Sequence, residues 1–125
     1  MKLKGLLVAL AAILAMVLGS SAHTQQNHSL TFKFKSNYDF KVQIAFFSKD
    51  RTHVWPGGGQ AYNLDDSKVH EIRLSCLGGE RICYGGWVTG NAKLHWGRGA
   101  DGRLQCDSCC YSCNDNMTPV IHLKP

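Results

Sequence analysis

The stretch Leu30–Phe47, LTFKFKSNYDFKVQIAFF, decides the fold class of this chain. It holds two runs in which apolar and polar residues alternate, separated by the turn-forming residues 36–39. Because successive side chains of a strand point to opposite faces of a sheet, the alternation predicts two half-buried strands. We expect these strands to form a hairpin. Its inward-facing side chains would be Leu30, Phe32, Phe34, Phe40, Val42, Ile44 and Phe46.

The rest of the chain continues this pattern of short apolar segments separated by glycine, asparagine and aspartate. No window after the N-terminal region shows the 3.6-residue period of an amphipathic helix. We expect residues 48–59 to be a loop, and residues 30–125 to form a single all-β domain. Its architecture would be a small antiparallel β-sandwich, or a partly closed barrel, stapled by disulfides. Further strands are predicted at 60–64, 68–76, 81–89, 93–96 and 119–124.

The segment Phe32–Ile44, FKFKSNYDFKVQI, resembles the opening of thaumatin-like proteins. In that family a strand, an asparagine-containing turn and a second strand begin a β-sandwich. The resemblance therefore implies a sandwich. This chain lacks the family's cysteine near that turn, its dense disulfide pattern and a recognisable acidic cleft, so the resemblance implies no ligand and no functional residue.

The first 22 residues have the composition of a secretory signal peptide, with two lysines ahead of an uncharged apolar run at residues 5–18. That run is shorter than the ~20 residues that a membrane-spanning helix needs. We expect cleavage between Ala22 and His23, a flexible polar arm at residues 23–29, and no stable membrane insertion after cleavage. The mature protein would be periplasmic or extracellular.

The mature chain would contain 103 of the 125 residues, which suits one domain with a modest core. Without the two signal lysines it has 12 Lys and Arg against 9 Asp and Glu, a net charge of +3. The basic residues are scattered along the chain, a pattern that does not favour a nucleic-acid partner. We expect a monomer.

All six cysteines follow the predicted cleavage site, and an even number in a short exported chain predicts a disulfide framework. Neighbouring Cα atoms are about 3.8 Å apart, below the usual disulfide range, so adjacent cysteines are not expected to pair. The simplest arrangement joins Cys76 and Cys83 to two cysteines of residues 106–113 and pairs the remaining two with each other. A local Cys76–Cys83 bridge is the alternative. The predicted disulfide cysteines are Cys76, Cys83, Cys106, Cys109, Cys110 and Cys113.

The cluster CDSCCYSC, residues 106–113, raises two other kinds of chemistry. Two C-x-x-C units are suitable zinc ligands, but zinc sites usually take them from separate segments, whereas here they abut. A redox C-x-x-C usually opens a helix, and no helical pattern follows this one. We therefore expect structural disulfides, no metal and no cofactor. A metal-binding or redox protein that uses the cluster is kept as an alternative.

Five aromatic residues that stand beside glycines or polar residues are the candidate ligand-binding residues. Aromatic side chains on the loops of a rigid sandwich can stack on a sugar ring or form the hot spot of a protein interface. The alternative is that they fill the core of a small domain. The five are Trp55, Tyr62, Tyr84, Trp87 and Trp96.

Motifs for catalysis do not emerge from the sequence. Gly97–Gly102 matches G-x-G-x-x-G in its letters, but the dinucleotide fingerprint also requires a helix after it, and we expect a turn-rich loop. There is no G-x-S-x-G and no H-E-x-x-H, and the histidines are spread singly. The sequence thus predicts an exported, non-catalytic module that binds a carbohydrate or a protein. A small secreted toxin or antimicrobial factor that acts on cell envelopes is the alternative.

Overall fold

The computed structural model describes residues 27–125, and in this range it contains nine β-strands and no helix. The predicted signal peptide and residues 23–26 of the predicted arm lie outside the described residues. Over 27–125 there is accordingly no helix that could cross a membrane. The strands are β1 (His28–Ser36), β2 (Val42–Ser48), β3 (Val54–Trp55), β4 (Tyr62–Leu64), β5 (His70–Cys76), β6 (Arg81–Val88), β7 (Asn91–Gly97), β8 (Cys110–Ser112) and β9 (Asn116–Leu123).

The strands form two sheets that pack face to face. The smaller sheet has the order β5-β1-β9, and the larger has the order β3-β2-β6-β7, with β4 also paired to β2 and β8 to β6. The predicted all-β sandwich is confirmed. The sheets are not wholly antiparallel, however, because β1 and β9 run parallel while β1 and β5 run antiparallel.

The core lies between the sheets and is rich in phenylalanine. Phe32 of β1 lies 4.5 Å from Phe46 of β2, measured between ring centroids, and both side chains are fully buried. The prediction that Phe40 faces inward is wrong, because its side chain is 63% exposed. The reason is that β2 begins at Val42, so Phe40 belongs to the preceding connection, where its ring packs 5.5 Å from that of Tyr38.

The predicted hairpin of β1 and β2 is also wrong, because the two strands belong to different sheets. Residues 37–41 carry the chain from one sheet to the other, and the apolar faces of β1 and β2 then cover each other. The same happens at residues 77–80, which connect β5 of the smaller sheet to β6 of the larger. The alternating pattern only requires that the apolar face of each strand be buried. Two strands in facing sheets meet this requirement as well as two strands of one hairpin, so the pattern does not distinguish the two arrangements.

Several short stretches of strand differ from the prediction, among them the start of β9, which lies at Asn116 and not at residue 119. β1 begins at His28, so two residues assigned to the flexible arm belong to the sheet. β3 lies within the predicted loop at 48–59, and β8 lies within the cysteine cluster. Both are two or three residues long, too short to show a period of two in the sequence.

The disulfides follow the arrangement that the sequence favoured. Cys76 lies on β5 of the smaller sheet and Cys83 on β6 of the larger, so the segment 106–113 is covalently joined to both sheets. Such bridges are compatible with an oxidising environment. The three pairs are Cys76–Cys113, Cys83–Cys110 and Cys106–Cys109.

A buried carboxylate reinforces the junction between β5 and β6. Glu80 accepts hydrogen bonds from Arg51 Nε at 2.6 Å, from the Ser48 hydroxyl at 2.5 Å and from the Leu77 amide at 2.9 Å. Burial alone would raise the pKa of Glu80, but these hydrogen bonds outweigh it and lower the pKa below its ordinary value. The ionised side chain therefore stabilises the connection between the sheets.

Candidate functional site

The five predicted aromatic residues are not brought together, and two of the tryptophans are held by the fold. Trp55 is only 7% exposed, and its indole N–H donates to the Ser75 carbonyl at 3.0 Å. Trp96 packs against the core, and its indole N–H donates to the Lys124 carbonyl at 2.8 Å. Both indoles therefore have structural partners.

The two tyrosines also pack against the core. Tyr62 meets the ring of Phe46 edge-on, with centroids 5.7 Å apart, and Tyr84 meets Phe34 at 5.2 Å. Burial raises the pKa of both hydroxyls above the ordinary tyrosine value, and for Tyr84 the nearby Tyr111 adds to the effect. Their rings thus serve the packing of the sandwich.

Trp87 is placed differently, on the face of the larger sheet that is turned away from the core. It is the register partner of Gln43 on β2, and its indole N–H donates to Gln43 Oε1 at 3.1 Å. The next pair along the same face is Ala45 and Gly85, both of which are buried. The small residues Ala45 and Gly85 therefore leave a depression in the sheet surface beside the large Trp87 indole.

This depression is a groove of about 360 Å³, which we call the Trp87 groove. The loop Gly57–Gly59 borders it, as does Ala100 from the loop that follows β7. No charged side chain among the described residues lines it. Its lining residues are Gln43, Ala45, Phe47, Val54, Gly57, Gly58, Gly59, Gln60, Ala61, Trp87 and Ala100.

The backbone conformation of the loop at the border of the groove requires glycine at three positions. Gly57, Gly58 and Gly59 have φ values of +84°, +63° and +72°, a region that residues with a side chain rarely adopt. The turn is closed by the Gln60 amide, which donates to the Gly57 carbonyl at 3.1 Å. The loop consequently presents backbone amides and carbonyls, and no side chains, to the groove.

The loop after β7 packs directly on the larger sheet. The backbone of Gly99 lies so close to Gly85 that a Cβ atom on Gly85 would collide with the Gly99 carbonyl. The Arg98 guanidinium donates through Nε to the Gly102 carbonyl at 2.8 Å, which ties the loop together. The predicted turn-rich conformation is found at residues 98–102, while Gly97 ends β7, and no helix follows the loop in the described chain.

The sequence interpretation missed the polar and small residues of the groove. The missed signal was the outward-facing half of β2, where Gln43, Ala45 and Phe47 alternate with the core residues. A strand whose outer face carries an amide, a methyl group and a phenyl ring is unusually apolar for a solvated surface. Together with the glycine run 57–59 it could have pointed to a covered or concave outer face.

The sulfur atoms of the cysteine cluster form a second notable group. The Sγ atoms of Cys83, Cys109 and Cys110 all lie within 4.8 Å of one another. Each of these cysteines is already in a disulfide, two of them in the same one. While the bridges are intact, the group therefore offers no thiolate to a metal ion.

No protein-family model matches the chain, and neither the curated proteins nor the solved structures give a match. The resemblance of the N-terminal strands to thaumatin-like proteins therefore stays a prediction.

Proposed function

We propose that the mature chain is an exported, non-catalytic binding module that holds a neutral carbohydrate in the Trp87 groove. The observation that carries this proposal is a partly exposed indole at the end of an uncharged groove of about 360 Å³. Protein sites for small ligands commonly have volumes of about 300–1,000 Å³. The groove is at the lower end of that range, a size that suits one or two sugar rings.

The chemistry of the lining matches that of a sugar, which has an apolar C–H face and a rim of hydroxyls. The face of the Trp87 ring would stack on the C–H face. Because Gln43 Oε1 already accepts the indole N–H, the NH₂ group of the same amide would donate to a sugar hydroxyl. Gln60 and the backbone of residues 57–59 supply further donors and acceptors.

The absence of charge in the lining favours a neutral sugar. Recognition of a carboxylate or a sulfate usually uses arginine or lysine, and none lines the groove among the described residues. A carboxylate pair for glycoside hydrolysis is likewise missing from the lining. The groove is therefore proposed to bind a sugar without cleaving it.

A small ligand is favoured over a protein by the distribution of exposed apolar side chains. Stable protein interfaces bury about 800 Å² on each partner, around a central apolar patch. Of the large exposed apolar residues in the described part of the chain, only Val54 lines the groove. These exposed residues are Phe40, Val54, Val69, Leu94, Leu104 and Met117.

Export is part of the proposal and is supported by two features of the chain. The first 22 residues have the composition of a signal peptide, and all six cysteines are in disulfides. Disulfides persist in the bacterial periplasm and in the extracellular space, where a non-catalytic carbohydrate-binding module would meet glycans.

The test is a calorimetric screen of the mature, oxidised protein against matched neutral and anionic oligosaccharides. We expect binding of at least one neutral oligosaccharide and weaker binding of its uronic-acid or sulfated counterpart. A protein that binds none of the neutral sugars, or that prefers the anionic ones, would contradict the proposal.

A further inference from the structure

We propose that the Cys106–Cys109 disulfide is a thiol–disulfide exchange site. Once an external dithiol reduces it, the released Cys109 thiolate takes over the bond that Cys83 makes with Cys110. The proposal is independent of sugar binding, because it concerns the sulfur cluster and none of the groove residues.

The bridges differ in accessibility and in loop length, and in the Cys83–Cys110 bridge Cys83 is fully buried while Cys110 is partly exposed. Cys76 and Cys113 are both fully buried, whereas Cys106 is partly exposed and is followed by the exposed residues Asp107 and Ser108. The Cys106–Cys109 bridge also has a sequence separation of only 3, against 27 for Cys83–Cys110 and 37 for Cys76–Cys113. A short loop gains little from closure, so this bridge resists opening least. A reductant therefore reaches and opens it first.

The first step is a two-electron reduction by the dithiol. One thiolate of the dithiol attacks Cys106 Sγ, which forms a mixed disulfide and expels Cys109 as a thiolate. The second thiol of the reductant then attacks the reductant's other sulfur, which is bonded to Cys106 in the mixed disulfide. The reductant leaves as a disulfide, and Cys106 and Cys109 are left as thiols.

The second step transfers a bond within the protein and involves no net redox change. Cys109 Sγ lies within 4.8 Å of Cys83 Sγ, the atom that it attacks, and 3.8 Å from Cys110 Sγ, the leaving atom. The freed Cys109 side chain therefore turns about its Cα–Cβ bond to approach Cys83 in line with the Cys83–Cys110 bond. The Cys109 thiolate attacks Cys83 Sγ, the Cys83–Cys109 bond forms, the Cys83–Cys110 bond breaks, and Cys110 leaves as a thiolate that takes up a proton. Attack on Cys110 instead would join adjacent residues in a small ring and twist the intervening peptide bond, which is costly.

Contacts outside the exchanging bonds keep the sulfurs together. The Tyr84 amide donates to the Cys109 carbonyl at 3.0 Å, which holds Cys109 beside β6. The Cys113 amide donates to the Glu80 carbonyl at 2.8 Å, and the buried Cys76–Cys113 bridge anchors the end of the segment. The larger sheet therefore stays covalently linked to the cluster before and after the transfer.

The experiment treats the folded protein with dithiothreitol at less than one equivalent and traps thiols in acid with N-ethylmaleimide. Peptide mapping by mass spectrometry then locates the label. We expect early label on Cys106 and Cys109, and, after anaerobic incubation at neutral pH, a shift of label from Cys109 to Cys110 while Cys106 stays labelled. Early label on Cys76 and Cys113, or label that never leaves Cys109, would overturn the proposal.

Two variants make the second step visible without a reductant. In Cys106→Ser one free thiol remains, and the bond transfer distributes it between Cys109 and Cys110. Label is therefore expected on both residues. The matched control Cys106→Ser/Cys109→Ser keeps Cys83–Cys110 and should take no label. Label on Cys109 alone in the single variant would exclude the transfer, and an intact Cys76–Cys113 bridge in the peptide map shows that each variant has folded.

Discussion

Trp87 donates its indole N–H to Oε1 of Gln43, its register partner across the β2–β6 pair, at 3.1 Å. The hydrogen bond fixes the edge of the indole, so the ring is oriented before any ligand arrives. Gln43 is in turn held by β2, which pairs with both β4 and β6. A ligand that stacks on Trp87 therefore does not have to order that side chain, which favours binding by a rigid site.

Removal of the indole should abolish most of the sugar binding. We expect Trp87→Ala to weaken the affinity at least about tenfold, equivalent to about 1.4 kcal/mol, because the stacking surface is lost. The measurement is calorimetry with the neutral oligosaccharide found in the screen.

Phe40→Ala is the matched control, since Phe40 is an exposed aromatic residue outside the groove lining. Its affinity should equal that of the unmodified protein. Equal affinities of Trp87→Ala and Phe40→Ala would rule out the Trp87 groove as the site.

A methyl group on Gly85 should disturb the packing of the loop after β7. Its Cβ would collide with the Gly99 carbonyl and approach the Phe47 ring, so we expect Gly85→Ala to lower the free energy of unfolding by about 2 kcal/mol. Urea denaturation followed by circular dichroism measures this value.

Gly90→Ala is the comparison for that substitution. Gly90 has a φ of +83° but open space around its Cβ position, so only backbone strain of about 1 kcal/mol is expected. If Gly85→Ala were the milder of the two, the close approach of the loop to the sheet would be refuted.

Neutralising the buried carboxylate should destabilise the junction between the sheets. We expect Glu80→Gln to lower the free energy of unfolding by about 2–3 kcal/mol, because charge-assisted hydrogen bonds from Arg51, Ser48 and Leu77 are weakened. Glu71→Gln, at an exposed position of β5, should change it by less than about 0.5 kcal/mol. A similar loss in both variants would show that the burial of Glu80 contributes nothing.

The same carboxylate predicts how stability depends on pH. Because the pKa of Glu80 is lowered in the folded state, its contribution is complete above the ordinary glutamate value of about 4.3 and is lost as the pH falls through the folded pKa. Below about pH 5 the unmodified protein should therefore lose stability more steeply than Glu80→Gln. Denaturation curves recorded between pH 3 and pH 7 make the comparison, and parallel pH profiles would be the contrary result.

The three disulfides should contribute unequally to stability. Loss of Cys76–Cys113, with a sequence separation of 37, should cost about 4 kcal/mol, and loss of Cys106–Cys109, with a separation of 3, about 2 kcal/mol. Chemical denaturation of the variants Cys76→Ala/Cys113→Ala and Cys106→Ala/Cys109→Ala tests the order. The reverse order would mean that loop closure does not govern the effect of these bridges.

Much of the fold could be predicted from the sequence because strand alternation is a local property. Leu30, Phe32 and Phe34 are all fully buried, as the alternation of β1 indicates. Strand partners could not be predicted in the same way, since residues 37–41 are as short as a hairpin loop and yet connect two sheets. The parallel pairing of β1 with β9 joins the two ends of the domain and leaves no local signal.

The candidate site was less predictable than the fold. A tryptophan beside glycines has the same local sequence whether it faces the core, as Trp55 does, or the outer face, as Trp87 does. The difference depends on which strands are neighbours and on the loop that brings Ala100 to the sheet. For the cysteines the sequence predicted the kind of arrangement, with Cys76 and Cys83 joined to residues 106–113, but not which cysteine of that segment each one takes.

The most direct measurement is a two-dimensional ¹H–¹⁵N NMR titration of the oxidised, mature protein with the neutral oligosaccharide found in the screen. Binding in the Trp87 groove predicts that the largest shift changes fall on the Trp87 indole N–H, the Gln43 side-chain amide and the backbone amides of residues 57–59. Shift changes centred on the outer face of the smaller sheet, or none with any neutral sugar, would contradict it.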